Sequence, residues 1–261
     1  MTPLLLVGAG RMGGALVSGW TRVGALDPAD LMILDPAPGP EAAKSGARLA
    51  PDAEAIGRAR TVLLAVKPQV WRAAAAELAP AIAKDAMIVS VCAGVASADI
   101  RAAFAGRAVA RVMPTTAAAI GKGAASVYAA EPEARDRARA LFAPLGAVID
   151  LDDEDQMHAA TAVGGSAPAY VYAFVEALEA AGRALGLSAA AARGLARGVV
   201  VGAAALMDET GAEAADLRRQ VTSPGGTTEA ALAVLTGEGS LATLVEAAAA
   251  AAARRSRELG A

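Results

Sequence analysis

The apolar positions of the chain change rhythm once. Up to about residue 151 they come in short unbroken runs separated by amphipathic stretches. The pattern predicts strands at 4–7, 31–34, 61–66, 87–91, 108–112, 123–128 and 148–151, with helices at 15–23, 67–78, 97–104 and 133–142. Short apolar runs alternating with helical stretches specify an α/β sheet that is parallel, with helices covering its faces. From Asp152 onward the strand signals stop. Gly164-Gly165-Ser166-Ala167-Pro168 breaks one helical pattern and restarts it with Pro168 in the first turn. Val171, Phe174, Val175, Leu178 and Leu185 then form an apolar stripe at helical spacing. The next helix carries Gly194, Gly198 and Gly202 on one face, open to close approach by another helix of this chain or of a second subunit. A last helix runs from 241 to about 259 and ends in Arg254, Arg255 and Arg257, whose charges complement its dipole. The expected organisation is a sheet domain at 1–151 followed by an all-helical domain at 152–261.

Two glycine-rich turns stand out against this frame. Gly8-Ala9-Gly10-Arg11-Met12-Gly13 lies between the first strand and the first helix. Such a G-x-G-x-x-G turn lets a pyrophosphate approach the helix N-terminus, where backbone amides are unpaired and the dipole favours an anion. The second strand ends in Asp35, about 20 residues on, where a dinucleotide fold holds the adenosine ribose. Ligands of such sheets lie outside the carboxyl ends of the strands. Lys67, Ala93-Gly94 and Met113-Pro114-Thr115 occupy such ends, and Lys67 is either a ribose contact or a solvated lysine.

The second turn, Val221-Thr222-Ser223-Pro224-Gly225-Gly226-Thr227-Thr228-Glu229, opens into a helical pattern at Ala231, Leu232 and Leu235. It reads either as an ordinary helix entry capped by Thr227 or as a seat for a small carboxylate, with the threonine hydroxyls free to reach a second polar atom.

Composition narrows the function classes. Of 261 residues, 55% are hydrophobic and 20% charged, enough for a large core and against disorder. The net charge of −3 argues against a nucleic-acid surface. A single cysteine, Cys92, leaves no intrachain disulfide and no cysteine-based zinc site, and in its apolar setting it reads as buried filler. No charge-free run reaches membrane-spanning length, and the apolar residues 4–7 are too few for a secretory segment. A cytoplasmic protein without a membrane partner is expected. The acidic run Asp152-Asp153-Glu154-Asp155 reads as first-turn charge of a helix, and the lone His158 as a packing residue.

Taken together, these segments resemble pyrroline-5-carboxylate reductases almost end to end. Gly8–Gly13 resembles the cofactor turn of that family, and Ala65-Val66-Lys67-Pro68-Gln69 and Arg111-Val112-Met113-Pro114 resemble its strand ends. Gly165-Ser166 with Pro168-Ala169-Tyr170 resembles the start of its long helix, and 221–228 its signature turn. The resemblance implies a Rossmann-type domain binding NADPH or NADH through Gly8, Gly10, Arg11, Met12, Gly13, Asp35, Val66, Lys67, Pro68, Ala93 and Gly94. It also implies a helical domain that interleaves with a second subunit, giving a homodimer or higher homo-oligomer. Ser223, Gly225, Gly226, Thr227 and Thr228 would hold the substrate, with Thr228 at the reacting nitrogen and the amides of Gly226, Thr227 and Thr228 on its carboxylate. The active site would lie between the cofactor and this turn. The chain departs from the usual family pattern at Thr115, Ala117, Gly164 and Ala167, and Asp35 is unusual for enzymes that favour NADPH.

The implied reaction is reduction of 1-pyrroline-5-carboxylate to L-proline by hydride transfer. Alternatives are reduction of another cyclic imine, oxidation of a β-hydroxy acid, a dinucleotide-binding sensor without turnover, and a structural helical oligomer. No lysine follows Asp152, which counts against the β-hydroxy-acid enzymes with their catalytic lysine in the helical domain.

Overall fold

The computed structural model describes residues 2–237 and 239–260. The chain runs β1 (Leu4–Val7), α1 (Arg11–Val23), β2 (Leu31–Leu34), α2 (Pro40–Lys44), β3 (Arg48–Leu49), α3 (Ala53–Gly57), β4 (Thr61–Leu64), α4 (Trp71–Leu78), β5 (Met87–Ser90), α5 (Ser97–Ala103), β6 (Val109–Pro114), β7 (Gly123–Ala129), α6 (Pro132–Phe142) and β8 (Gly146–Asp150). Helices then follow alone: α7 (Gln156–Ala160), a π-helical turn at Thr161–Gly165, α8 (Ala167–Ala184), α9 (Ala189–Thr210), α10 (Ala214–Gln220), α11 (Thr227–Leu235) and α12 (Leu241–Glu258).

The strands form one sheet in the order β3-β2-β1-β4-β5-β6-β7-β8. It is parallel except for the antiparallel pair β6–β7. The two-residue β3 carries too little apolar sequence to be seen in advance, and its residues are exposed. Leu4, Leu5 and Leu6 of the central β1 are fully buried, facing alternate helical layers. Each such side chain contributes roughly 1.5–3 kcal/mol. On one face Trp20 of α1 meets Phe142 edge-on and donates its indole N–H to the Leu141 carbonyl at 2.9 Å. On the other face Arg107 is buried, with its guanidinium donating to the carbonyls of Ala79, Ala83, Ile82 and Phe104.

Several expected boundaries moved: α1 begins at Arg11 and not at residue 15, and β6 runs on to Pro114. The helix expected from Lys67 begins at Trp71, because residues 67–70 close a turn in which Val70 N–H donates to the Lys67 carbonyl. The acids 152–155 precede α7 and are not its first turn.

The chain divides into two compact units, Met1–Gly165 with Ala250–Ala261, and Ser166–Ala249. Residues 152–165 pack with the sheet, with Met157 and Ala162 buried there. In the second unit α8 and α9 lie close because Gly182 brings its backbone near Ala192: a β-carbon on Gly182 would stand 3.2 Å from that alanine's. Ser188 caps α9 by accepting the Ala191 N–H. α9 is long and apolar enough by length and composition to cross a membrane, although it carries Arg193 and Arg197.

Candidate active site

The first glycine turn is built as its chemistry requires. Gly8 has φ +93°, and a β-carbon there would lie 2.7 Å from the Ala65 carbonyl oxygen. One on Gly13 would lie 2.1 Å from the Gly8 carbonyl oxygen, so this glycine lets α1 pack against the turn. Gly10 has open space beside it and is exposed. Two glycines therefore serve the chain's own packing, and the third leaves room for a ligand at the α1 N-terminus. An open cavity of about 490 Å³ adjoins it, lined by Gly10, Arg11, Gly14, Ser18, Gly39, Glu41 and Thr116 among others. The unpaired amides of the first turn of α1 and the Arg11 cation fit a pyrophosphate.

Asp35 stands just beyond β2, next to this turn. Its Oδ2 accepts the Ala9 N–H at 2.6 Å and its Oδ1 accepts the Ala37 N–H at 2.7 Å. The carboxylate thus braces the glycine turn against the end of β2, a role that the sequence reading, which gave it only the ribose, did not include. Each oxygen has a further lone pair for a ribose hydroxyl. Because β2, β1, β4 and β5 are neighbours, Asp35, the glycine turn, Val66-Lys67-Pro68 and Ala93-Gly94 line up along the carboxyl edge of the sheet. Lys67 is exposed there. Cys92 is buried behind them, its Sγ 3.3 Å from the Val66 carbonyl, and burial pushes its thiol pKa up.

The acidic run supplies one working carboxylate. Glu154 accepts from the Ser97 amide at 2.6 Å, the Ser97 hydroxyl at 2.5 Å and Arg111 Nη1 at 2.8 Å. Burial raises its pKa most strongly of the single influences, but these donors together hold it below the ordinary value. Glu154 fixes the start of α5 to β6, so its role is structural; periodicity alone carries no sign of a partner 57 residues away. His158 lies 3.0 Å through Nδ1 from the Ser256 hydroxyl. Thr115, one of the departures from the family pattern, accepts the Ala124 N–H through its hydroxyl and is buried.

In the second unit the Ser223–Thr228 turn forms a cap on α11. Gly225 has φ +68°, and Gly226, not Thr227, is the capping residue. The Gly226 amide donates to the Ser223 carbonyl at 3.0 Å, so it is engaged within the turn and is not a free seat for a carboxylate. The Gly225 amide donates to Glu229 Oε2 at 2.7 Å. Thr227 and Thr228 are the first two helical residues, whose amides point out of the helix end. The sequence reading passed over Glu229. Its spacing from Gly226, three residues into the helix, is that of a capping-box acid and was available as a signal. Ser223, Gly225 and Thr227 are exposed, and Gly226 and Thr228 are half-buried.

Comparison with known proteins agrees with both ends of the chain. Residues 154–259 match the family model for pyrroline-5-carboxylate reductase dimerisation, and residues 4–94 match that for NADP oxidoreductase, coenzyme F420-dependent. A pyrroline-5-carboxylate reductase of Pseudomonas aeruginosa is 40% identical, over 98% of this chain and 96% of that protein. The solved structure of a pyrroline-5-carboxylate reductase from Coxiella burnetii superposes with a TM-score of 0.90 at 31% identity, covering 100% of this chain and 99% of that one. The Plasmodium falciparum pyrroline carboxylate reductase, solved with NADP bound, shares the fold with a TM-score of 0.86 at 24% identity, covering 100% and 98%. With 40% identity along its whole length to a curated member, this chain belongs to the pyrroline-5-carboxylate reductase family.

Proposed function

We propose that the protein reduces 1-pyrroline-5-carboxylate to L-proline, the last step of proline biosynthesis, with NADPH or NADH as hydride donor. The observation that carries this reading is the likeness to curated reductases along 98% of the chain, including the intact Ser223–Thr228 turn. When bound, the reduced nicotinamide supplies the hydride; everything else falls to the chain's own residues. The Gly8–Gly13 turn with Arg11 receives the pyrophosphate. Val66-Lys67-Pro68 and Ala93-Gly94 border the nucleotide at the strand ends, and Asp35 faces the adenosine ribose. Residues 152–261 act as the substrate-binding and dimerisation domain, and the dimerisation match beginning at residue 154 supports that division.

The Thr227 and Thr228 amides receive the substrate carboxylate, with Ser223, Gly225 and Gly226 shaping the turn. The Thr228 hydroxyl bonds the ring nitrogen. A threonine is a poor acid, and Glu229, the one carboxylate of the turn, is already held by Gly225. The imine is therefore bound as the protonated iminium or protonated through water, which makes its carbon the hydride acceptor. The work of the protein is positioning and electrostatic matching. We place the enzyme in the cytoplasm as a homodimer or higher homo-oligomer joined through its C-terminal helices.

The test is direct. Purified protein is mixed with NADH or NADPH and pyrroline-5-carboxylate, then with other cyclic imines, and the loss of nicotinamide absorbance is followed. Oxidation with pyrroline-5-carboxylate and proline as product is expected. Turnover with another imine only, or nucleotide binding without turnover, would refute the assignment.

A further inference from the structure

We infer that the carboxyl-terminal end of the chain is a positioning element for the nucleotide, acting through Gly94; the inference rests on the reductase reading above. The segment after residue 249 belongs to the same compact unit as the sheet. Its end lies backbone to backbone against the loop that follows β5. Gly94 has φ +81°, and a β-carbon on it would stand 2.7 Å from the Ser256 carbonyl oxygen and 2.8 Å from the Gly260 nitrogen. A β-carbon on Gly260 would stand 1.9 Å from the Gly94 carbonyl oxygen. Both glycines are thus required for the approach, and the bareness of Gly94 serves the chain's own tail.

A second, independent contact holds the tail in place. Ser256 is 3% exposed, and its hydroxyl is 3.0 Å from His158 Nδ1. His158, in α7, lies four residues after Glu154, which grips the amide and hydroxyl of Ser97 at the far end of the same loop. The loop between β5 and α5 is therefore fixed at Ser97 by Glu154 and at Gly94 by the tail. It follows the carboxyl end of β5, the position at which ligands of such sheets are bound. A contact made of two bare backbones and one hydroxyl buries little apolar surface, so its effect is on the loop's placement more than on overall stability. Displacing a positioning backbone by even about 1 Å has a large effect on a bound reactant.

Two full-length variants test this. Gly260→Val forces the tail off Gly94, and Ser256→Ala removes the bond to His158 without adding bulk, which keeps the test open if the valine variant does not fold. The readouts are Kd for NADPH and NADH from fluorescence of the bound nicotinamide, KM for nucleotide and for pyrroline-5-carboxylate, kcat, Tm and light scattering. A roughly three- to tenfold rise in nucleotide Kd and KM is expected, with kcat at saturating nucleotide, the pyrroline-5-carboxylate KM and the oligomer held. Nucleotide Kd equal to wild type in a folded variant overturns the inference. So does a loss confined to Tm, or one shared equally by all the kinetic constants. If wild-type protein binds nucleotide yet reduces no pyrroline-5-carboxylate, the reductase reading fails, while the Kd comparison still judges the tail.

Discussion

Thr228 is the second residue of α11, and its hydroxyl is the group assigned to the ring nitrogen. A hydrogen bond to a charged group is worth roughly 1.5–3 kcal/mol. Thr228→Ala should therefore lower kcat/KM for pyrroline-5-carboxylate by about ten- to a hundredfold while nucleotide binding and Tm stay unchanged. Wild-type kcat/KM in that variant would remove Thr228 from the site. Asp35 governs the other end. Its carboxylate is held on two backbone amides, so it cannot swing away from the end of β2. Residues 36–40 hold no lysine or arginine to offset it. Two like unit charges about 4 Å apart repel by about 4 kcal/mol at an effective dielectric of 20, reduced by salt and solvent to about 1–2 kcal/mol. The 2′-phosphate of NADPH would meet that repulsion and the free hydroxyls of NADH would not. We expect wild type to prefer NADH, and Asp35→Ser to raise relative use of NADPH while weakening both nucleotides through the lost brace. Steady-state kcat/KM with each nucleotide decides it; a tenfold wild-type preference for NADPH would sink the expectation.

At the scale of elements, the joint between α5, β6 and the segment before α7 depends on one carboxylate. Arg111 is nearly buried, and Glu154 neutralises it while holding Ser97. Glu154→Gln keeps the shape but leaves Arg111 without its counter-charge, and losing a charged hydrogen bond should cost roughly 1.5–3 kcal/mol in denaturant unfolding. The pH dependence has a definite sign. The folded-state pKa of Glu154 lies below its ordinary value of 4.5, so the unfolded chain takes up the proton first on acidification. Its contribution is complete above that value and is lost as pH falls through the lower folded one. His158 acts in the same direction. Burial first, then the charges of Arg111 and Arg257, lower its pKa from 6.5, so stability falls as pH drops below about 6.5. Urea midpoints measured from neutral pH down to about pH 3 should decline in wild type, with a flatter limb below about pH 4.5 in Glu154→Gln. Parallel acid limbs in the two proteins would show that the joint does not titrate.

For the whole molecule, the second unit presents what a single chain leaves uncovered. Phe174, Leu178 and Leu185 of the predicted stripe are exposed, Leu185 at 87%. Gly194, Gly198 and Gly202 have open space on their bare faces, so among the described residues no helix of this chain uses them. Of the two readings of that face, packing within the chain is therefore set aside, and we propose it as a surface between copies, a reading that the dimerisation-family match over 154–259 supports. A β-carbon on Gly198 would meet nothing within 4 Å in its own chain, and Gly198→Leu should hold two copies apart by overpacking. Light scattering should find at least a dimer for wild type and a smaller species for the variant, with an unaltered circular dichroism spectrum. A wild-type monomer with full activity would refute the interface.

Most of the α/β frame was legible because its signals are local. The residues of β1 and β2 follow from apolar runs, the glycine turn from spacing, and the restart of helix at α8 from Pro168. Less legible were contacts between residues distant in sequence, since periodicity reports a residue's face and not its partner. The antiparallel turn from β6 to β7, the grip of Glu154 on Ser97, the occupation of Asp35 by the Ala9 amide and the seating of Gly260 on Gly94 are all of this kind. At the signature turn the sequence determined which residues could meet a carboxylate, while the backbone path decided which amides are free: the Gly226 amide is turned onto Ser223, and the Gly225 amide onto Glu229. Thus the sequence by itself determined the fold class, the two glycine turns and the family. Tertiary structure alone decided which polar groups are already satisfied within the chain, because an amide or a carboxylate can serve a ligand only with the bonding capacity that folding has left it.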